Sequence, residues 1–339
     1  MTVAARPGGA LAVAVTGAAG FIGSHLVRGI DARGGRVVPF VRVVDGRAPA
    51  RARALEDAIA RPSLFDGAEV LIHAASLRHH YGADDGAYRT ANVDLVERTL
   101  RAAAAGGVRR VVLVSSVGVY GFPEDLPVTE RHPYAPRTAY AATKVEAELR
   151  ARRTARDAGV ELVTVRPSIV YGRGERGGVL DKMASMMRAG VYRVVGSGEN
   201  VLHHAHVDDV VEGLWLAATK PAAAGEDFIL AGPETTTLQA LSEQVARAVG
   251  RSLPRRHVPV GVARAAATVV DLAGYHGVAF SRHEPPLNHE KLDLMTLPMR
   301  FDISKARELL AYAPAVGYEE GVRRTLRGDW PSLSRAGQP

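Results

Sequence analysis

Tyr140 and Lys144 lie four residues apart in the run Tyr-Ala-Ala-Thr-Lys. On a helix that spacing puts both side chains on one face, one turn apart. An ammonium beside a phenol favours the phenolate and lowers a pKa whose ordinary value is about 10. Such a tyrosine can give and take a proton near neutrality; the alternative is an ordinary pair on an exposed helix surface. Ser115 and Ser116 follow the apolar run Val111 to Val114. A hydroxyl at a strand end can hydrogen-bond a substrate oxygen, or simply its own backbone.

Nearer the N-terminus stands Thr16-Gly17-Ala-Ala-Gly20-Phe21-Ile22-Gly23. It follows the apolar run Leu11 to Val15, too short for a helix and read as a buried strand. After it, Leu26, Val27 and Ile30 recur with Phe21 and Ile22 at helical spacing. The order is strand, glycine turn, helix. Free backbone N–H groups at the helix start and the positive end of its dipole suit a pyrophosphate. Gly17 allows the tight turn, Gly20 admits a phosphate close to the backbone, and Gly23 lets the helix pack near the sheet. The expectation is dinucleotide binding, against a plain Gly-rich strand-to-helix turn.

The elements that must position these groups alternate. Strands are expected at Arg36 to Val41, Val70 to Ile72, Val111 to Val114 and Glu161 to Val165, the last stopped by Arg166-Pro167. Helical patterns cover Tyr88 to Ala105 and Thr138 to Asp157, the second closed by Gly159. This rhythm predicts an α/β fold of the Rossmann type, a doubly wound parallel sheet covered on both faces. From Gly172 the rhythm loosens, with helices at Leu180–Ala189, Val207–Ala218 and Leu238–Val249 and a strand near Phe228–Leu230. Residues 1–172 are therefore expected to form the dinucleotide-binding part carrying the Ser, Tyr and Lys. Residues 173–330 form mainly a substrate-binding lobe, free to return a strand or helix to the main sheet, and 331–339 a terminal tail.

Composition excludes several functions. The chain has 339 residues, 47% apolar and 23% charged, as in an ordinary globular protein. Its first ten residues lack an apolar signal core, and no uncharged apolar run reaches a membrane span. Val260 to Ala273, broken by Arg264 and Asp271, is expected as a core-facing helix. With no cysteine there is no disulfide or thiol nucleophile, which fits a reducing, cytoplasmic setting. The net charge of +7 is spread along the chain, and the Arg150-Arg152-Arg153-Arg156 cluster suits a solvated helix face rather than nucleic acid. His203, His204 and His206 lack a carboxylate or cysteine at ligand spacing, so no metal is expected.

Taken in order, the glycine motif, His73-Ala74-Ala75, Asn92, Ser116, Tyr140-x-x-x-Lys144 and Arg166-Pro167-Ser-Ile-Val-Tyr-Gly172 resemble the extended short-chain dehydrogenase/reductase family. The likeness is to its epimerase and 3β-hydroxysteroid-dehydrogenase-like branch. It continues through Gly196-Ser-Gly198, His206-Val-Asp-Asp209 and Asp302-Ile-Ser-Lys-Ala306, across nearly the whole chain. The resemblance implies Tyr140 as acid/base, Lys144 on the nicotinamide ribose and Ser116 as the catalytic serine. Hydride then moves between nicotinamide C4 and a substrate carbon while Tyr140 moves the proton. The cofactor would be lined by Gly17, Ala19, Gly20, Phe21, Ile22, Gly23, Arg42, His73, Ala74, Ala75, Asn92, Pro167, Ile169 and Val170, with Asn92 beginning the long helix. Substrate contacts fall to Ser76, His79, His80, Val117, Ser168, Leu202 and His204. A homodimer through the Tyr88–Ala105 and Thr138–Asp157 helices is also implied.

Departures from the family pattern sharpen the expectation. Relatives that prefer NAD end the second strand in an aspartate; here Val41 and Arg42 stand there, and an arginine suits the 2′-phosphate of NADP. The acidic residue often found near the adenine is Ala54 here, with Glu56 and Asp57 nearby. Val117 and Gly118 replace the Asp-Glu pair of sugar-nucleotide dehydratases, and Leu202 replaces the arginine that meets a nucleotide diphosphate. The expected function is an NADP(H)-dependent oxidoreductase acting on the carbonyl or alcohol of a fairly apolar small molecule. The alternatives are a nucleotide-sugar epimerase that keeps its cofactor and a non-catalytic NADP sensor.

Overall fold

The computed structural model describes residues 10–44, 48–78, 85–175, 177–275 and 287–327. In chain order the first half runs β1 (Ala12–Thr16), α1 (Phe21–Ala32), β2 (Arg36–Val41), β3 (Arg53–Ala54), α2 (Leu55–Ala60), β4 (Val70–His73) and α3 (Asp85–Arg89). A π-helical turn at Thr90–Asp94 leads into α4 (Leu95–Ala105), then β5 (Arg110–Val114), a 3₁₀ turn (Val117–Tyr120), α5 (Ala139–Ala158) and β6 (Glu161–Pro167). The second half comprises β7 (Val170–Tyr171), α6 (Val179–Arg188), β8 (Val201–Leu202), β9 (Ala205–His206), α7 (Val207–Thr219), β10 (Asp227–Leu230) and β11 (Thr236–Thr237). It ends with α8 (Leu238–Ala248), α9 (Val260–Tyr275), α10 (His289–Thr296), α11 (Ser304–Leu310) and α12 (Tyr318–Arg327).

Seven strands form one parallel sheet in the order β10-β6-β5-β4-β1-β2-β3. Alternate residues of a strand face opposite sides, so a sheet covered on both faces needs apolar residues at every position. β1 supplies this with Ala-Val-Ala-Val-Thr, buried throughout. Val13 and Val15 pack with Leu26 and Ile30 of α1, Val210 and Leu214 of α7 and Leu310 of α11. Ala14 turns the other way, to a layer holding Leu55 of α2, Leu100 of α4 and Ala151 of α5. β10 and α7 come from the second half of the chain and complete the sheet's edge and one covering layer. α6, α8 and α12 enclose a separate core around Tyr171, Leu180, Met183, Leu241, Val245 and Val322.

Several elements differ from the sequence expectation. The Tyr88–Ala105 helix is interrupted by the π turn, and Asn92 lies inside that turn rather than starting the helix. Such a turn inserts an extra residue and re-aims a side chain, here the buried Asn92. β6 continues through Arg166-Pro167, because the chain there pairs with Ile229 and Leu230 of β10. Pro167 has no N–H to donate, and the strand ends with it. On α9 only a stripe with Ala263 and Ala267 meets the core; Val262, Val269 and Leu272 are exposed.

Two arginines are buried in the frame. Arg166 donates to Glu148 through Nε (3.0 Å) and Nη2 (2.6 Å), and also reaches Tyr120, Tyr134 and Asp227. Arg110 pairs with Glu161 and donates to the carbonyls of Ala217, Ala218 and Lys220, capping the negative end of α7. Glu148 is itself fully buried, so removing Arg166 strands a carboxylate away from water. Arg166→Met is expected to cost about 3–5 kcal/mol in urea unfolding, and the double change with Glu148→Met to recover part of it. A loss below about 1 kcal/mol for Arg166→Met alone would contradict this account of the frame.

Candidate active site

β1 and β4 are neighbours in the sheet, but the chain leaves them toward opposite sides. The crevice at their carboxyl ends is where ligands bind in such folds. Thr16 Oγ1 lies 3.1 Å from His73 Nδ1 and accepts from the Ala75 N–H at 3.2 Å. Gly17 has φ +67°, and a side-chain carbon there would sit 2.9 Å from the Ala74 oxygen and the Ala75 nitrogen. One at Gly23 would lie 2.0 Å from the Gly17 oxygen. Both positions must be glycine for the turn to approach β4 and α1 to approach the turn. Gly20 caps α1 without a side chain, and the first turn of α1 carries no acidic residue. Ala19, Gly20, Phe21 and Ile22 thus present a helix N-terminus in need of an anion. These features fit the pyrophosphate of a dinucleotide. Ala18 donates to the Phe40 oxygen at 3.1 Å, tying this turn to the end of β2. Arg42 follows β2, exposed, with no ion-pair partner among the described residues. Ala54 pairs with Val41 and caps α2.

Thr138 caps α5 by accepting from the Ala141 N–H at 3.1 Å, which puts Tyr140 in the first turn and Lys144 in the second. Lys144 is buried; its Nζ donates to the Val114 oxygen at 2.9 Å and lies 5.8 Å from the centre of the Tyr140 ring. Burial pulls its ammonium down to about 8, with Glu148 opposing. The Tyr140 phenol is pushed up by burial, opposed by the charge of Arg78 and by a hydrogen bond with Ser76. This corrects the expectation that Lys144 lowers Tyr140. The ammonium faces a carbonyl and the ring, and Arg78 is the cation that acts on the phenol.

Asn92 gathers this part of the site. Its Oδ1 accepts from Ser76 Oγ (3.0 Å) and the Leu77 N–H (2.7 Å), while Nδ2 donates to the Leu77 oxygen (3.0 Å) and Thr143 Oγ1 (3.1 Å). One amide therefore clamps the chain after β4 to α5, one residue before Lys144. Ser116 Oγ accepts from the Gly118 N–H at 3.1 Å, which leaves its own proton available to donate. A side-chain carbon on Gly118 would lie 3.7 Å from the Ala141 methyl, so the Ser116 turn abuts the start of α5. Val117 is packed in the core, and Ser115 is buried. His73 is also buried, and desolvation, aided by the Lys144 charge, brings it down to about 3, so it stays neutral.

At the far edge, Pro167 ends β6, Ser168 donates its N–H to the Leu230 oxygen, and Ile169 accepts from the Ala205 N–H. Val170 pairs with Ala205. Leu202 is packed inside the core of the second lobe with Tyr171, Leu180 and Leu241. His204 is buried beside Tyr318, whose hydroxyl accepts from the His204 N–H at 2.7 Å, and burial lowers its imidazole to about 4. His203 bonds the Gly232 oxygen and accepts from the Phe301 N–H, and His206 caps α7. The rings of His203 and His206 thus hold separate backbone groups, while His204 bonds Tyr318 through its own N–H. Among the described residues no cluster of three histidines or carboxylates is arranged for a metal. His79 and His80 lie outside the described residues. Arg78, which with His79, His80 and Tyr81 follows the His-Ala-Ala motif, is marked by the sequence as a candidate substrate contact; sequence reasoning missed Thr143 and Glu175. Arg78 Nη1 donates to Glu175 Oε1 at 3.0 Å, and that carboxylate is buried although its partner is half exposed. No spacing signal connects two residues so far apart in the chain.

The chain belongs to the NAD dependent epimerase/dehydratase family, whose sequence profile matches residues 13–231. It is 29% identical to a 2-alkyl-3-oxoalkanoate reductase of Stenotrophomonas maltophilia, over 92% of this chain and 97% of that protein. It is 30% identical to a UDP-glucose 4-epimerase of Mycolicibacterium smegmatis, over 92% and 96%. The UDP-glucuronic acid 4-epimerase of Bacillus cereus, solved with NAD, shares the fold with a TM-score of 0.74 at 20% identity, over 94% of this chain and 98% of that one. By fold and family the chain is an extended short-chain dehydrogenase/reductase, an enzyme class whose members include ketoreductases and epimerases. No helix among the described residues is long and apolar enough to cross a membrane.

Lys144 carries a pH signature. Its ammonium titrates at about 8 when folded against 10.5 when free. Between those values the unfolded chain binds more protons, so this group makes stability rise with pH. Urea unfolding of the native chain and of Lys144→Met, from about pH 7 to 11, should show their difference moving in favour of the native chain across that window. A difference that does not change with pH would contradict the burial of this charge.

Proposed function

We propose that the protein is an NADP(H)-dependent ketoreductase or alcohol dehydrogenase acting on a fairly apolar small molecule. The observation that carries this reading is the grouping at the start of α5. Tyr140 is bonded to Ser76, Lys144 is buried beside its ring, and the Ser116 turn packs against the same helix. A bound nicotinamide supplies or receives the hydride at the carbonyl carbon. The Ser116 hydroxyl donates to the carbonyl oxygen and orients it. Tyr140 gives its phenolic proton to that oxygen on reduction and takes it back on oxidation. Asn92 fixes the Ser76 segment and α5 relative to each other, so the phenol stays aimed while protons move. Lys144, held by the Val114 carbonyl, has donors left for a ribose hydroxyl.

Support for NADP comes from Arg42 just after β2, which has no ion-pair partner among the described residues and so suits a 2′-phosphate. Support for an apolar substrate comes from Leu202: it stands where relatives carry a phosphate-binding arginine, and turned into the lobe's core it offers no donor to a pyrophosphate, whose burial without one is strongly unfavourable. The reductase from Stenotrophomonas maltophilia, named for a 3-oxo acid, points the same way. The epimerase relative supports a second reading, in which the cofactor returns its hydride to a sugar nucleotide. In the first reading the chain after residue 172 binds most of the substrate. The protein then works as a cytoplasmic homodimer paired through α4 and α5.

Tyr140→Phe removes the transferable proton alone. It is expected to bind NADPH normally in calorimetry and to lose about 10²–10⁴-fold in turnover. Near-normal turnover would remove Tyr140 from the acid/base role. Arg42→Ala is expected to weaken NADPH about tenfold or more and leave NADH nearly unchanged. Equal affinity of the native protein for the two cofactors would overturn the NADP assignment.

A further inference from the structure

The most unusual electrostatic feature near Tyr140 is a pair that the proton transfer does not use. Ser76 is bonded to Tyr140, Leu77 is held at both its N–H and its carbonyl by Asn92, and Arg78 comes next. The guanidinium is therefore carried on a segment pinned beside the phenol, at the carboxyl end of β4 where ligands bind. Its partner Glu175 lies beyond β7, and its carboxylate is 8% exposed against 51% for Arg78. Glu175 folds back so closely that a side-chain carbon on Gly178 would meet its Oε2 at 2.1 Å. Asp181 and Lys182 of α6 also act on it, with opposite signs. A buried carboxylate thus engages one nitrogen of an arginine whose remaining fork faces the solvent side. Five N–H donors in a planar fork match a second carboxylate in two bonds.

We propose that Arg78 recognises a carboxylate on the substrate close to the reacting carbonyl, which makes the substrate class a 3-oxo acid with an apolar chain. This rests on the carbonyl-reductase reading above and narrows its substrate. Glu175 sets the orientation of the guanidinium and competes with the incoming anion. A positive charge at this point also distinguishes the oxo acid from its ester or from a simple ketone of the same length, because a neutral group leaves the fork without its second anion.

The two residues separate this role from that of a plain bridge between loops. A bridge loses the same thing whichever partner is removed. A recognition residue and its competitor act in opposite directions. The test uses the full chain with NADPH and two probes, 3-oxodecanoate and methyl 3-oxodecanoate. The native protein should favour the acid over the ester about tenfold or more in kcat/KM. Arg78→Gln should bring that ratio to about one through a higher KM for the acid, and Glu175→Gln should lower the KM for the acid below the native value. Thermal melting of both variants establishes that they are folded. Ester turnover with no preference for the acid, or parallel losses in the two variants, would overturn the role of Arg78 and leave carbonyl reduction standing. No NADPH oxidation with either probe, with reduction of a neutral alicyclic or aryl ketone, would overturn the role of Arg78 and leave carbonyl reduction standing; no oxidation with any of these compounds would overturn both readings.

Discussion

The site depends on how closely the turn after β1 approaches the end of β4. Two chain segments leaving neighbouring strands in opposite directions would ordinarily be held apart by side chains. Here Gly17 faces the Ala74–Ala75 backbone with nothing between, and Thr16 binds both His73 and Ala75. That contact sets the place of α1's N-terminus and also the direction in which the chain departs from β4. Two residues later Ser76 and Leu77 reach Asn92, and through Asn92 they reach Thr143 on α5. The glycine turn after β1 and the start of α5 are thus linked by short steps of backbone and amide. A bulkier residue at 17 or 23 would displace both.

Charge burial is handled in two ways, and the contrast separates frame from chemistry. Arg166 is inaccessible, but two bonds to Glu148 and further ones to Tyr120, Tyr134 and Asp227 satisfy it, so its charge is secure. Lys144 is nearly as buried and has a neutral carbonyl as its acceptor, which leaves its ammonium easier to deprotonate. Poorly compensated buried charge is costly, and its presence beside Tyr140 is what the proposed acid/base role would require. Arg78 and Glu175 form the third arrangement, a buried acid paired with a half-exposed base.

Much of this was legible in the sequence for identifiable reasons. Strand β2 shows the expected Arg36–Val41 limits because a short apolar run there is bounded by Gly34-Gly35 and by Arg42. Helix α5 was readable from its Thr138 cap and its Gly159 stop, the latter at φ +67°. The π turn was not, since one extra residue hardly disturbs the spacing of apolar side chains around Asn92. Nor could the four-residue spacing of Tyr140 and Lys144 say which atoms meet. It placed both on one face, while the direction of Nζ is set by Val114, a residue of another strand. Pairings such as Arg78 with Glu175 belong to the folded chain alone. Where both partners are charged and distant, neither composition nor periodicity carries a trace of them.

The central claim is that Tyr140 serves a net reduction of a carbonyl rather than a hydride returned to a sugar. The most direct measurement follows deuterium from the transferable C4 position of labelled NADPH. The account predicts one cofactor oxidised per turnover, with the label at the carbinol carbon of the alcohol product. Interconversion of a sugar nucleotide by the cofactor-loaded protein, with no net consumption of NADPH and no reduction of carbonyl compounds, would contradict it.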